Sequence, residues 1–220
     1  QPQDLTRDTN HSSYIATGIW YHFLATGDLG FLGQMWPTIE KGVSFTLGLQ
    51  QPTGEIYWAC DTNNIAYPVA LLASSSCIWQ SIRSGIKIAK VLGLNKPDWD
   101  TASKKLAKAI REQPELFGES GDNKYNYAMS WYYPVLTGII KGKRAKERIL
   151  NQWADFVINN CGCKCVVEAP WWVTVAETCE LILALTRIGE HDRARLLLDW
   201  ILKLQDSDGG FWTGMKIPEE

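Results

Sequence analysis

The chain has little of what usually announces a partner. Its 220 residues carry 22 Lys and Arg against 24 Asp and Glu, a formal charge of -2 with both signs interspersed. That leaves no electrostatic footprint for nucleic acid or an anionic membrane. The one dense basic run, Lys141 to Arg148, reads as a helix start on a solvated face. No apolar run approaches the ~20 residues that span a bilayer, and no charged, apolar and small-residue series at the N-terminus resembles a signal peptide. The expectation is a soluble, cytoplasmic chain. It opens on Gln1-Pro2 without a Met, so any targeting signal would lie upstream.

Catalytic signatures are scarce as well. With 3 histidines there is no His-Glu-x-x-His, and neither Gly-x-Ser-x-Gly nor Gly-x-Gly-x-x-Gly occurs. Gly138-Ile-Ile-Lys-Gly142-Lys143 is one residue short of a phosphate loop and lacks the following Ser or Thr, so it reads as a hairpin turn. Of 6 cysteines only Cys161, Cys163 and Cys165 cluster. Structural zinc sites draw on two separated pairs, so these read as reduced, partly buried thiols. Neither cofactor nor metal is expected, and nothing in the composition sets an oligomeric state.

What is abundant is helical periodicity. Apolar spacing with start and stop signals marks roughly eight segments, near 9–26, 29–50, 69–93, 98–113, 127–140, 143–160, 173–188 and 191–205. Strand-like alternation is limited to pieces such as Glu55 to Ala59. Links of a few residues (Gly27-Asp28, Leu94 to Pro97, Lys141-Gly142, Gly189-Glu190) alternate with long ones (51–68, 114–126, 161–172). A short link makes antiparallel neighbours. The pattern is therefore four helical hairpins whose long loops emerge on one side.

One phrase occurs twice: Leu47, Leu49, Gln50, Gly54, Trp58, then Leu202, Leu204, Gln205, Gly209, Trp212. Repetition of this kind marks stacked supersecondary units. We read one all-α domain over 1–220, a helical-hairpin α/α toroid in the form of an incomplete (α/α)6 barrel with about four hairpins.

The long loops collect carboxylates and aromatics. Asp4, Arg7 and Asp8 precede the first helix. Glu55, Trp58 and Asp61 follow the second, and Glu119, Asp122, Tyr125, Tyr127 and then Trp131 surround the third long link. Glu168, Trp171, Trp172 and Glu177 come last, with Trp212 after the second copy of the phrase. With 11 tryptophans in the chain, such loops suit sugars, whose CH faces stack on indole while carboxylates bind hydroxyls and move protons. They also suit carbocations, stabilised by aromatic faces. Competing structural jobs are visible for Asp8 as an N-cap, for Glu177 in a Thr174-x-x-Glu177 capping box, and for Asp206 and Asp208 as turn formers. Glu55 and Asp61 show none. The four candidates for acid and base are therefore Glu55, Asp61, Asp8 and Glu177.

Asp8-Thr-Asn10 through Ala25-Thr-Gly-Asp28-Leu-Gly-Phe31-Leu32 and Met35-Trp36-Pro37 resembles the six-hairpin glycosidases of the glucoamylase and debranching-enzyme type. The Gln-turn-Gly-x-Trp endings are similar to the repeat of terpenoid cyclases and protein prenyltransferases. The chain as a whole resembles bacterial six-hairpin proteins often labelled prenyltransferase, in Asp4-Leu-Thr-Arg-Asp-Thr-Asn10, Tyr127-Ala-Met-Ser-Trp-Tyr-Tyr-Pro134 and Ala176-Glu177-Thr-Cys-Glu180. The cyclase acid motif is missing, since Asp206-Ser-Asp208 runs into Gly209.

For a glycosidase the resemblance implies an inverting carboxylate pair acting on a small-molecule or oligosaccharide substrate. The alternatives are a prenyltransferase-like or terpene-cyclase-like isoprenoid binder and a non-catalytic repeat scaffold.

Overall fold

A computed structural model describes residues 5–118, 126–168 and 170–217. Among them the helices are α1 (Thr9–Thr26), α2 (Leu29–Leu47), α3 (Leu72–Val91), α4 (Pro97–Glu112), α5 (Ala128–Leu136), α6 (Gly142–Asn151), α7 (Trp153–Phe156), α8 (Val175–Arg187) and α9 (His191–Ile201). The strands are short: β1 (Arg7–Asp8), β2 (Ala59–Cys60), β3 (Val157–Ile158), β4 (Gly162–Cys163), β5 (Trp171–Thr174) and β6 (Gly214–Ile217). The class is all-α, and α1/α2, α3/α4, α5/α6 and α8/α9 are the four expected hairpins. None of these helices is long and apolar enough to cross a membrane. The chain divides into two compact units, Gln1–Ser120 and Gly121–Glu220.

In the first unit the α1/α2 hairpin is set by its caps. Gly27, at φ 68°, closes α1 by donating its N–H to Phe23 O at 2.8 Å, and the Asp28 carboxylate accepts Phe31 N–H to open α2. Gly in the left-handed region and Asp at an N-cap are the residues that these positions favour. The core is aliphatic, with Leu32, Ile39, Val43, Ile78, Ile82, Ile88 and Leu106 fully buried around Trp99. Each such side chain contributes about 1.5–3 kcal/mol of burial. Trp99 lies flat enough on α3 that a methyl at Gly85 would stand 2.8 Å from its ring.

In the second unit α5 packs on α8, and Trp131 stacks on Phe156 at 5.0 Å and 15°. Ile149, Leu181, Leu185, Leu197 and Ile201 complete that core. Here the helix expected over 143–160 is corrected. It stops at Asn151, turns once through α7 and becomes an antiparallel hairpin, Val157↔Cys163 and Ile158↔Gly162. The reason is local: β-branched Val157 and Ile158 favour extended backbone, and Asn160 (φ 62°) and Gly162 (φ 139°) supply the turn. Likewise the helix expected over 127–140 ends at Leu136, because Gly138 sits at φ 82°.

The strands serve the helix starts. The first N–H of α1, on Thr9, donates to Trp58 O at 2.9 Å, and β1 pairs with β2 as Arg7↔Cys60 and Asp8↔Ala59. The other edge of β2 bonds the segment entering α3, through Tyr67 N–H to Ala59 O and Trp58 N–H to Val69 O. The second unit repeats the scheme. Ala128 N–H, opening α5, donates to Cys165 O at 3.0 Å; Val175 N–H, opening α8, donates to Thr213 O at 3.1 Å; and β5 pairs with β6 as Thr174↔Gly214. A helix leaves its first four N–H groups without intrahelical partners. In these three helices the neighbouring ribbon satisfies the leading one.

The doubled phrase builds one turn twice. Gln50 bridges Ile56 and donates from its side chain to Gly54 O at 2.9 Å; Gln205 bridges Phe211 and donates to Gly209 O at 3.1 Å. Tyr57 N–H reaches Leu49 O, and Trp212 N–H reaches Leu204 O. The structural partner of Trp212 is thus Tyr57, one residue before the Trp58 that the sequence pattern suggests.

Both glycines have positive φ, Gly54 at 113° and Gly209 at 88°, yet only Gly54 is crowded, with Lys105 O 2.7 Å from where a Cβ would stand. Replacement of either by Ala forfeits about 1 kcal/mol of left-handed freedom. Gly54→Ala adds a packing penalty of about 1–3 kcal/mol against a backbone carbonyl that cannot rotate away. Urea unfolding followed by tryptophan fluorescence should rank Gly54→Ala well below Gly209→Ala; equal midpoints would contradict the assignment.

Candidate functional site

The long-loop end of the first unit gathers Arg7, Asp8, Trp58 and Asp61. Asp8 caps α1: its Oδ1 accepts His11 N–H at 2.8 Å, and its Oδ2 stands 3.8 Å from His11 Nδ1. The Arg7 guanidinium donates to Asp61 O at 2.7 Å and Asn64 Oδ1 at 2.6 Å, and lies 5.6 Å from the centre of the Phe45 ring. Asn64 holds φ 65°, a conformation that Asn tolerates. Thr9 Oγ1 donates to the carbonyls of Tyr57 and Trp58, tying the helix start to the loop. Trp58 stacks on Tyr67 at 5.7 Å and 23°.

An open cleft of about 650 Å³ runs beside Arg7, Asp8, His11, Lys41 and Phe45. Its chemistry is mixed: a carboxylate, an imidazole, two fixed cations and an aromatic wall. Arg7 Nε, Asn10 Oδ1 and Glu55 Oε2 are buried with no hydrogen-bond partner among the described residues. Such orphans are costly unless a ligand or water meets them.

The second unit holds a different cluster. Thr174 caps α8 by accepting Glu177 N–H at 3.0 Å, and its hydroxyl donates to Glu177 Oε2. The spacing is that of a capping box, but the carboxylate closes on the hydroxyl rather than on the cap's own amide. One turn on, Glu180 accepts the hydroxyls of Tyr132 and Tyr133. Burial first, then the Glu180 charge, pushes the Tyr132 phenol far above its usual range, so it stays a donor. Burial likewise raises Cys163, and it raises Cys165 to about 11, aided by Glu177. Burial lowers Lys164, whose ammonium lies 4.8 Å from the centre of the Trp171 ring, while Trp171 Nε1 donates to Val167 O at 2.9 Å.

The remaining candidates scatter. Asp4 and Asp122 lie outside the described residues, as do Glu119 and Tyr125. Asp61 has a structural job that the sequence did not reveal: Oδ1 accepts the amides of Asn63 and Ile65, both at 2.8 Å, forming an Asx turn. Glu55 is buried in the first Gln turn against α4. Trp131 is corrected from pocket wall to core, fully buried with Nε1 donating to Arg148 O. Trp171 and Trp172 belong to β5 and alternate across its faces. Tyr127 (59% exposed) and Trp212 (64%) stand open to solvent.

His11 and Lys41 were missed. The sole available signal was the three-residue step from Asp8 to His11, which brings both into the first turn of one helix. Among the described residues no group of three His, Cys, Asp or Glu side chains is placed to hold a metal ion.

No family model matches the chain. It is 42% identical over 213 residues, 97% of its length, to a protein of Mycolicibacterium hassiacum named MMP endo-(1,4)-3-O-methyl-alpha-D-mannosidase. The match takes in 58% of that protein, so the chain spans somewhat over half the length of this curated relative. Two solved structures share the fold. A rhamnosidase from Klebsiella oxytoca with rhamnose bound aligns at TM-score 0.67 and 15% identity, covering 94% of this chain and 40% of that one. A D-mannose isomerase aligns at TM-score 0.70 and 10% identity, covering 98% of this chain and 65% of that one. The likeness shows the fold class, the expected α/α hairpin toroid. The prenyltransferase label has no counterpart in these three proteins.

The elevated Cys165 thiol yields a direct test. With its value at about 11 against an ordinary 9.0, about a hundredfold less thiolate is present near neutral pH. Alkylation by iodoacetamide, followed by peptide mass spectrometry, should be correspondingly slow and rise with pH to near 11. Glu177→Gln removes a charge that disfavours the thiolate, so Cys165 should alkylate faster in that variant. An unchanged rate would separate Glu177 from the cysteine.

Proposed function

We propose that the chain is the glycosidase-like toroid portion of a hydrolase that cleaves α-linked mannoside chains internally. The observation that carries this reading is the 42% identity over 213 residues to a protein named as an endo-mannosidase. The carboxylates and aromatics of the long loops support it, because cleavage of a glycosidic bond needs two carboxyl groups and walls that bind hydroxyls and stack on sugar faces.

In this reading one carboxylic acid protonates the glycosidic oxygen as the bond to the anomeric carbon breaks. A second carboxylate takes a proton from the water that attacks the opposite face, so the configuration inverts. We assign these roles among Asp8, Glu177, Asp61 and Glu55, and place Asp8 first. Asp8 keeps one oxygen free beside Arg7 and His11 at an open cleft. Asp61 has one oxygen spent on two amides. Glu177 is a buried carboxylate held by a hydroxyl on a helix start. Trp58, Tyr127, Trp172 and Trp212 are the proposed sugar-stacking surfaces, and Arg7 a hydroxyl-binding residue.

The test is incubation of the chain with α-(1,4)-linked 3-O-methylmannose oligosaccharides, with products followed by reducing-end release and proton NMR. The expected result is shortened oligosaccharides whose first-formed anomer is β. Asp8→Asn should lower kcat by about 100-fold or more, with tryptophan fluorescence and melting unchanged. Absence of cleavage, or full activity in Asp8→Asn, would overturn the reading; an α product would overturn inversion alone.

A further inference from the structure

At the end of the second unit opposite its long loops, the short links α5–α6 and α8–α9 border an open cavity of about 440 Å³. Its lining holds Lys141, Lys143, Lys146 and Arg187 with Ile140 and Ile188, and no acidic side chain. Lys146 is committed to Glu190, and Lys143 reaches Glu147 at 3.6 Å. Lys141 and Arg187 have neither an ion pair nor a hydrogen-bond acceptor among the described residues.

Both side chains pass Gly138 in the α5–α6 link. Gly138 sits at φ 82°, and a methyl built on it would stand 2.4 Å from Arg187 Nη1 and 3.6 Å from Lys141 Cε. The bare backbone of the link is therefore what lets the guanidinium lie beside the lysine stem. The first turn of α6, which lines the same cavity at Gly142 and Lys143 and has no side-chain cap, adds to the positive potential. Two uncompensated cations call for a dianion, and a guanidinium fork beside an ammonium is the pairing that phosphate oxygens accept best. The volume exceeds that of a bare phosphate and falls in the range of small-molecule pockets, roughly 300–1,000 Å³.

We propose that this cavity, at the short-link end of the second unit, binds a phosphate group, free or carried on a small sugar. All four cationic side chains reach solvent, so binding weakens as salt screens the site.

The test is calorimetric titration of the chain with inorganic phosphate and, in a second arm, a hexose 6-phosphate, with chloride adjusted to hold ionic strength constant. Saturable binding is expected in at least one arm. A tighter hexose 6-phosphate assigns a sugar phosphate, and equal affinities assign the free anion. Arg187→Gln and Lys141→Gln should each weaken binding roughly tenfold or more, whereas Lys108→Gln, on exposed α4 surface in the other unit, should not. Both variants alter exposed side chains, and superimposable far-ultraviolet circular dichroism checks that they fold. Failure to saturate in either arm, or undiminished binding in Arg187→Gln and Lys141→Gln, would overturn the proposal.

Discussion

The constraint on which the rest depends is the fate of one backbone amide at the start of each leading helix. Thr9, Ala128 and Val175 open α1, α5 and α8, and each donates its N–H to a carbonyl of a residue that flanks a short strand, at 2.9, 3.0 and 3.1 Å. A net contribution of about 0.5–1.5 kcal/mol per bond is modest, but leaving a buried amide unpaired costs about 1–3 kcal/mol. The pairing fixes more than energy. It locks the cap residue and the next turn of the helix in one orientation relative to the loop beside them. That is how a side chain on a helix start becomes a precise element of a site.

Because this device is a backbone device, it can be copied while the chemistry on it changes. β1 meets β2 and β5 meets β6 in the same register relative to the following helix, Asp8↔Ala59 and Thr174↔Gly214. The cap is Asp8 in one copy and Thr174 in the other, and the residue whose amide is capped is His11 in one and Glu177 in the other. One copy therefore presents a carboxylate with an imidazole, the other a hydroxyl with a carboxylate. Function on such a scaffold resides in the grafted side chains, not in the repeat. This is why the doubled Gln-Gly phrase resembles a prenyltransferase repeat while saying nothing about prenyl chemistry: its Gln side chains are spent on the carbonyls of Gly54 and Gly209.

The helices were legible because their signals are local and redundant: Asp28 as a cap, Gly27 and Gly189 as stops, apolar residues at helical spacing. The ribbon strands were not, since a two-residue strand has no alternation to read and its partners lie some 50 residues away along the chain, as between Arg7 and Cys60. The same distance problem hid the roles of the candidates. Asp61 looked free of structural work, yet its carboxylate accepts from the amides two and four residues on, in a turn that the left-handed Asn64 completes. Asp8, suspected of capping, does cap, but capping consumed only one of its oxygens and left the other at the cleft, whereas the Glu177 carboxylate accepts the Thr174 hydroxyl instead of a backbone amide.

The aromatic count misled in a way that has a physical remedy. An indole can serve a sugar only with a face that nothing else covers, and abundance does not reveal which faces remain. Trp131 is sandwiched against Phe156 and Trp99 is sealed on α3, so both serve the core. Trp171 has Lys164 over its ring and its N–H on Val167 O, which leaves it bracing a loop. Trp58 gives one face to Tyr67. A ring braced on one side by another ring loses little entropy when its second face is used, which is what a stacking platform requires. By that criterion few of these rings are ready stacking platforms. Trp58, fixed by Tyr67 and by the Thr9 bond to its carbonyl, is the one whose position is already determined before any ligand arrives.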